Sequence, residues 1–488
     1  MVNLLNSLII FFYKIYAARK YRAFISALDN PHHAQQRLKE QLEKDYYRSL
    51  RYKKNNIPFD ELPIQNYNEL AKNPIEDLIT KKILFFEETS GSSGIKKRIP
   101  YTKNLLGSFS NMFVIWSYDI LKNVNFSSYK FYFSISPQFS ENASGLEDDS
   151  AYLGESIGLF SKNYFVKLPN AKSIQDPNEF LLKLGLLLAS NRNLEIISIW
   201  SPTFLLSLMS YLKENEENFL RILKVGEYKG LKFDPIVLDE VTSLNLFPNL
   251  KFISTWGSAS AQVSFDKLKT LFPHVVIQKK GLLATEAPMT IPLFNIEGSV
   301  PLINDVYFEF ISKESEILGP EKLIVGETYE VVISQKGGLL RYPMNDLVRV
   351  EGFYKKTPLL EFVGRKHQIS DMVGEKLHES EVANAIEDTG AYALIPSLEK
   401  LKYILLVDNS FNEAKVAEVE NRLHNNIHYK NARLLGQLNE IEVVVCNQPN
   451  EILNQYYTSI LKIKKGDIKE SFLLYREAPR LLELLKST

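Results

Sequence analysis

Apolar positions along this chain change period several times. Recurrence every three to four residues predicts a helix, while alternation or a short unbroken apolar run predicts a strand. The first run, Leu4, Leu5, Leu8, Ile9, Ile10, Phe11 and Phe12, leads into Lys14, Arg19, Lys20 and Arg22. It is too short to span a bilayer and lacks the basic stretch that precedes a signal-peptide core. An amphipathic helix packed on the body is the reading taken; peripheral membrane contact fits the same periodicity. Asn30 as a cap and Pro31 in the first turn open a second helix through HHAQQRLKEQLEKDYYRSLRYKK. Pro58, Pro63 and Pro74 then break Ile57 to Leu78 into loops and short helices.

From Ile83 the pattern becomes strand, loop, helix, strand: Ile83 to Phe86, a small-residue loop, Leu105 to Val124 and Lys130 to Ile135. Phe180 to Leu188 reads as a buried helix, Leu194 to Trp200 as a buried strand, and Phe204 to Leu223 as a helix. A strand turning at Gly257, a helix over Phe265 to Phe272 and a strand over His274 to Gln278 follow. Tyr307 to Ile311 and Glu327 to Ser334 alternate like antiparallel strands, and Pro358 to Val363 is a further short strand. Gly364, Arg365, Lys366 and His367 make a charged break, which sets the main boundary between 1–364 and 365–488. Beyond it, Ser380 to Ile386 and Asn412 to His424 read as helices, and Tyr403 to Val407 and Glu440 to Val445 as strands. The fold class is α/β, with a large N-terminal domain of several subdomains and a small C-terminal α/β domain.

Composition narrows the function classes. The 488 residues are 45% hydrophobic and 24% charged, ordinary for a globular chain with a large core. Lysine plus arginine equals aspartate plus glutamate at 58 each, so no global field recruits nucleic acid. The lone Cys446, in an apolar run, forms no internal disulfide and points to a reducing, cytoplasmic compartment. Seven scattered histidines give no metal-hydrolase cluster. Acids at 147–150 suit a cation or, more simply, a solvated loop.

Candidate chemistry concentrates in TSGSSGIKKRIPYT. Thr89, Ser90, Gly91, Ser92, Ser93 and Gly94 offer hydroxyls and approachable amides, and Lys96, Lys97 and Arg98 follow at once. That combination suits the phosphates of a nucleotide, although Ser/Gly clusters between apolar runs are also ordinary loops. The GxxxxGK[ST] spacing of a Walker loop is absent. STWGSAS and KKGLLATEAP each turn at the end of a strand, so three loops of one kind can face a single crevice. Asp346 lies among alternating apolar residues, where the plain alternative is an ion pair with Arg341 or Arg349.

In this order the motifs resemble the adenylate-forming superfamily of acyl and aryl synthetases. Within it the chain looks most like the auxin-responsive, or Gretchen Hagen, acyl-acid amido synthetases and their bacterial relatives. NPHHAQQRLKEQL and PIQNYNEL resemble that family's opening segments, TSGSSGIKKRIPYT its phosphate loop, and STWGSAS and ATEAP its adenine-side turns. GLLRYPMNDLVRVEGFY resembles its GLYRYxxGDxxxVxGF signature, FVGRKHQISDMVGEKLHESEV its domain crossover, and GQL and KKGDIK stretches of its C-terminal domain. Asn345 stands where the signature has glycine, and Gly281, Leu282 and Leu283 replace an aromatic ahead of the TE pair.

The resemblance implies roles for particular residues. Thr89, Ser90, Ser92, Ser93 and the Gly91 and Gly94 amides would hold the outer phosphates of ATP, and Lys97 would offset charge as pyrophosphate leaves. Glu286 would bind Mg²⁺ and Thr285 would contact the α-phosphate. Ser258, Ala259 and the Leu282 to Ala284 backbone would flank adenine; Asp346 would take the ribose hydroxyls, with Arg365 adding a contact. Lys469 is a candidate mobile lysine near the reacting carboxylate. The implied enzyme is a monomeric ligase activating a carboxylic acid as an acyl-adenylate and passing the acyl group to an amine, with an amino acid as the expected acceptor. Its rivals are a ligase forming thioesters with coenzyme A or a carrier protein, and a non-catalytic nucleotide-binding module. Leu105 to Tyr118, Trp200 to Phe204 and Ile253 to Trp256 are the candidate acyl pocket, suited to an aryl or fatty acid.

Overall fold

The computed structural model describes residues 2–72, 74–88, 97–133, 164–174, 176–258, 261–366, 369–370, 372–373, 375–434, 437–461, 468, 471–475 and 478–486. A four-stranded parallel sheet runs Lys130–Phe133, Leu194–Ser198, Phe252–Thr255, Val276–Lys279 in spatial order. Its inner strands are near-continuous apolar runs because helices cover the sheet. Leu184, Leu186, Ile197, Leu208, Leu212 and Phe219 share that core. Gly185 lets two of the helices close up: a Cβ there would lie 2.6 Å from a Leu212 methyl.

The helix expected over Phe204 to Leu223 is two helices, Pro202–Glu214 and Glu216–Val225. Asn215 leaves helical geometry at the joint, and its side-chain amide donates to the Tyr211 carbonyl at 2.9 Å. Such local bonding lets asparagine compete with the helical ladder.

A seven-stranded antiparallel sheet follows, ordered Thr290–Pro292, Ser299–Pro301, Thr357–Arg365, Tyr342–Tyr354, Thr328–Gln335, Val306–Ile311, Ile317–Leu318. Alternation in VYFEFI buries Val306, Phe308 and Phe310 on one face, as its period requires. The strand expected to end at Val363 runs on to Arg365, so Gly364 and Arg365 are not the break. A register shift near Leu347 accommodates Gly364, whose φ of +153° suits glycine.

Beyond Lys366, Ala391–Ser397, Lys402–Val407 and Glu442–Val445 form a three-stranded sheet. Two apolar clusters there, around Leu405 and Leu406, draw only on residues of this part of the chain. The strand Ala391–Ser397 escaped the sequence reading because Tyr392 and Pro396 interrupt its pattern.

At the start of the helix Glu379–Ile386, the buried Glu379 carboxylate accepts from the backbone N–H groups of Phe472 and Leu473 and the Ser471 hydroxyl. Burial outweighs those donors and pushes its carboxyl up to about 7 from its ordinary value of 4.5. A folded-state value above the unfolded one favours folding below about pH 4.5, and that advantage is lost as pH rises through 7. The melting temperature is therefore expected to fall between pH 5 and 8 by the equivalent of up to about 3 kcal/mol, with a flatter profile in Glu379→Gln. A Glu379→Gln profile as steep as the parent's would place the effect elsewhere.

Candidate active site

The first structural piece is the hairpin of β1, Ile83–Glu88, and β2, Arg98–Thr102, whose connecting residues 89–96 lie outside the described set. Phe85 stacks on Tyr101 and Tyr101 on Phe109, anchoring the hairpin to the helix Lys103–Asn123. Thr102 caps that helix, its hydroxyl accepting from Leu105 N–H at 3.3 Å. Lys97 directly precedes the anchored strand β2.

KKGLLATEAP folds back on itself as a second hairpin, Leu283–Ala284 against Ala287–Pro288, with Thr285 and Glu286 at its tip. Glycine is required at 281, where a Cβ would meet the Thr290 carbonyl oxygen at 2.5 Å. The buried Tyr101 hydroxyl donates to the Thr285 carbonyl at 2.7 Å and ties the two hairpins together.

Tyr342, 1% exposed, links the cluster. The Lys97 ammonium donates to its hydroxyl oxygen at 2.8 Å and lies 3.5 Å from the Glu286 carboxylate. Burial raises the Tyr342 hydroxyl far above its ordinary value; the Glu286 and Asp346 carboxylates add to the rise and Arg365 opposes it. The phenol consequently stays neutral through the working pH range, as an uncharged acceptor for Lys97.

Asp346, 4% exposed, sits directly opposite Arg365 in the sheet register. Arg365 Nε donates to its Oδ1 at 3.1 Å. The alternative partners are engaged elsewhere: Arg341 grips Glu309 at 3.1 and 2.9 Å, and Arg349 pairs with Glu351 at 2.7 Å. Asn345 takes a left-handed φ of 58°, which its short polar side chain tolerates in place of glycine.

Lys97, Thr285, Glu286, Asp346 and Arg365 therefore come together around Tyr342. Ser258 is buried beyond the strand Phe252–Thr255, and Ala284 is half-buried in the second hairpin. Thr89, Ser90, Gly91, Ser92, Ser93, Gly94, Ala259 and Lys469 lie outside the described residues. Among the described residues no cluster of three metal-ligating side chains occurs. Glu286 nevertheless fits Mg²⁺, a hard cation that takes one or two carboxylates and completes its shell with water and phosphate oxygens.

Sequence reasoning missed Tyr342 and Lys280. The pairing of Lys97 with the tyrosine in RYP crosses 245 positions, beyond any local pattern. Lys280 follows the last strand of the parallel sheet, where the Ser198 hydroxyl accepts from its ammonium at 2.7 Å. The same ammonium lies 5.6 Å from the Trp116 ring centroid and 5.4 Å from that of Trp200. Trp116 is itself fixed by an Nε1–H bond of 2.9 Å to Gln278. Two indoles and a cation thus meet at the carboxyl ends of the strands, the usual ligand crevice of such sheets.

The sequence model of the GH3 family N-terminal domain matches residues 35–245, and that of the GH3 family central domain matches residues 299–365. Together they cover more than half of the chain. The chain belongs to the GH3 family.

Two curated relatives illustrate the GH3 similarity. Indole-3-acetic acid-amido synthetase GH3.3 of Arabidopsis thaliana is 35% identical over 91 residues, 17% of this chain and 15% of that one. Jasmonoyl-L-amino acid synthetase JAR4 of Nicotiana attenuata is 29% identical over 172 residues, 33% of this chain and 29% of that one. The alignments with these two and with the Arabidopsis amido synthetase GH3.2 span 15% to 42% of the relatives' own lengths. The solved structure of AtGH3.15 acyl acid amido synthetase with 2,4-DB superposes with a TM-score of 0.76 at 15% identity, covering 96% of this chain and 95% of that one. A 2-hydroxyisobutyryl-CoA ligase carrying 2-HIB-AMP gives 0.61 at 13% identity, covering 96% and 93%. The fold is the mixed α/β fold of adenylate-forming enzymes.

Proposed function

We propose that this GH3-family chain is an ATP-dependent ligase that activates a carboxylic acid as its adenylate and transfers the acyl group to the amine of an amino acid. The observation that carries this reading is the group formed by half-buried Lys97 with buried Tyr342 and Glu286, adjoining the Asp346–Arg365 pair. A cation, a hard oxygen ligand and a diol-binding carboxylate at one place suit a nucleoside triphosphate.

In the first step a substrate carboxylate oxygen attacks the α-phosphorus and pyrophosphate leaves. Lys97, aimed by Tyr342, offsets the charge that collects on the departing phosphates, and Asp346 accepts from the ribose hydroxyls. Glu286 would hold Mg²⁺, whose charge neutralises phosphate oxygens. Thr89 to Gly94 and Thr285 take phosphate oxygens, while Ser258, Ala259 and Ala284 flank the base. The amine nitrogen then attacks the acyl carbon, loses a proton, and AMP departs. No protein nucleophile is needed: positioning and charge stabilisation do the work. Trp116, Trp200 and Lys280 line the acid's side of the crevice and favour a planar or apolar acid.

The relatives named as amido synthetases favour an amine acceptor, and the likeness to a CoA ligase fold keeps a thiol as the second reading. Acid-dependent AMP release with a panel of amino acids and thiols, coenzyme A included, separates them. Acceleration by amino acids alone supports amide formation; acceleration by thiols alone overturns it.

We place the domain boundary at the crossover and assign the unit after Arg365, with Lys469, to the second half-reaction. Lys366 is clamped to the large unit twice: its N–H donates to the Asn345 carbonyl at 2.8 Å and its ammonium pairs with Glu330 at 2.6 Å. A proline at 366 would disturb Asn345, next to Asp346, and so slow both steps. Lys366→Ala releases only the ammonium clamp. It is expected to change amine-dependent AMP release several-fold, about 2- to 5-fold, while pyrophosphate exchange stays within twofold. Equal change in both steps would count against a swinging unit.

A further inference from the structure

From Ile9 on, the N-terminal helix, α1, Val2–Ala27, packs through one side. Ala17, Ala18 and Phe24 are buried, Tyr13 shares a 2.5 Å hydrogen bond with Ser117, and the Tyr21 hydroxyl donates to Asp119 at 3.0 Å. These contacts fasten it to the helix Lys103–Asn123. Its other side leaves large apolar groups in water: Phe11 is 57% exposed, Phe12 62%, Ile15 54% and Tyr16 49%. At 100° per residue these four, with the exposed Arg19 and Arg22, occupy an arc of roughly 140°. An apolar wedge and two guanidinium groups one to two turns further on therefore share a face.

Charge identifies the occupant. Lys14, Arg19, Lys20 and Arg22 fall in the first 28 residues, which contain no aspartate or glutamate, although the whole chain is electrically balanced. The positive excess is thus local to this helix. Among the described residues no helix is long and apolar enough to cross a membrane, so the helix can engage a bilayer only along its surface. A second copy of the chain fits less well, since a two-fold contact through this face would gather four guanidinium groups at one seam with no carboxylate of the helix to pair them.

We propose that this face of α1 docks the protein on anionic lipid membranes, with Phe11, Phe12, Ile15 and Tyr16 entering the headgroup region and Arg19 and Arg22 contacting lipid phosphates and carboxylates. Aromatic and aliphatic insertion combined with cationic attraction is the physics of interfacial helices. The inference stands apart from the ligase reading, because no residue assigned to the nucleotide site belongs to α1.

Flotation of the full chain with phosphatidylcholine vesicles, with and without phosphatidylserine, tests it. Binding is expected only with phosphatidylserine, weakened by salt. Phe11→Ser with Phe12→Ser, and separately Arg19→Glu with Arg22→Glu, are each expected to cut partitioning by about tenfold or more. Melting temperature and circular dichroism should match the parent, showing that the helix still packs. No flotation of the well-folded parent overturns the proposal, as does flotation indifferent to both double variants. A parent dimer that the Phe11→Ser, Phe12→Ser variant dissolves, without vesicle binding, assigns the face to a second copy and also overturns it.

Discussion

Glutamine at Glu286 is expected to lower acid-dependent exchange of pyrophosphate into ATP by about 100- to 1000-fold, the loss typical of removing one preorganised charge from a transition state. The amide keeps the shape of the side chain at the tip of the Leu283–Pro288 hairpin, where Glu286 is 6% exposed, so the fold should tolerate it. What disappears is the negative charge facing Lys97 at 3.5 Å and the only hard anionic ligand proposed for Mg²⁺. The defect should appear in the exchange rate at saturating ATP. Full exchange in a folded Glu286→Gln protein would remove Glu286 from the mechanism.

Phenylalanine at Tyr342 is the second large expectation. The ring belongs to the core that includes Ile333, Val348 and Phe308, and Phe preserves that packing. The hydroxyl alone is lost, and with it the 2.8 Å contact that aims the Lys97 ammonium. A hydrogen bond to a charged group contributes about 1.5–3 kcal/mol, so exchange should fall by roughly 10- to 100-fold. The loss should fall on kcat with little change in KM for the acid, since the ammonium acts on charge that develops as pyrophosphate departs. A change confined to KM would make Tyr342 a binding residue only.

Much of this site was legible in the sequence because its parts are local. A turn needing glycine at 281, small residues between two strands, and an acid in an alternating segment each leave a mark within ten residues. Asn345 kept the left-handed turn of the signature, so its departure from glycine cost no geometry. Register, in contrast, was hidden: that Asp346 faces Arg365, and not Arg341 or Arg349, depends on a bulge near Leu347. Tyr342 and Lys280 were missed because their partners lie 245 and 82 positions away, and a lone tyrosine or lysine carries no periodic signal. The four parallel strands followed from apolar runs, and the strands Val306–Ile311 and Thr328–Gln335 from alternation. The short strands Thr290–Pro292, Ser299–Pro301 and Ile317–Leu318 left no period to read, and the split at Asn215 turned on one side chain bonding its own turn.

The most direct measurement is acid-dependent exchange of labelled pyrophosphate into ATP by the unmodified chain, with a pool of aryl, indolic and fatty acids, followed by AMP release when amino acids are added. Exchange is expected to require an acid and Mg²⁺, and AMP release to rise with an amino acid. ATP binding without exchange for every acid in the pool, in a protein of undiminished melting temperature, would contradict this and leave a nucleotide-binding module on a ligase fold.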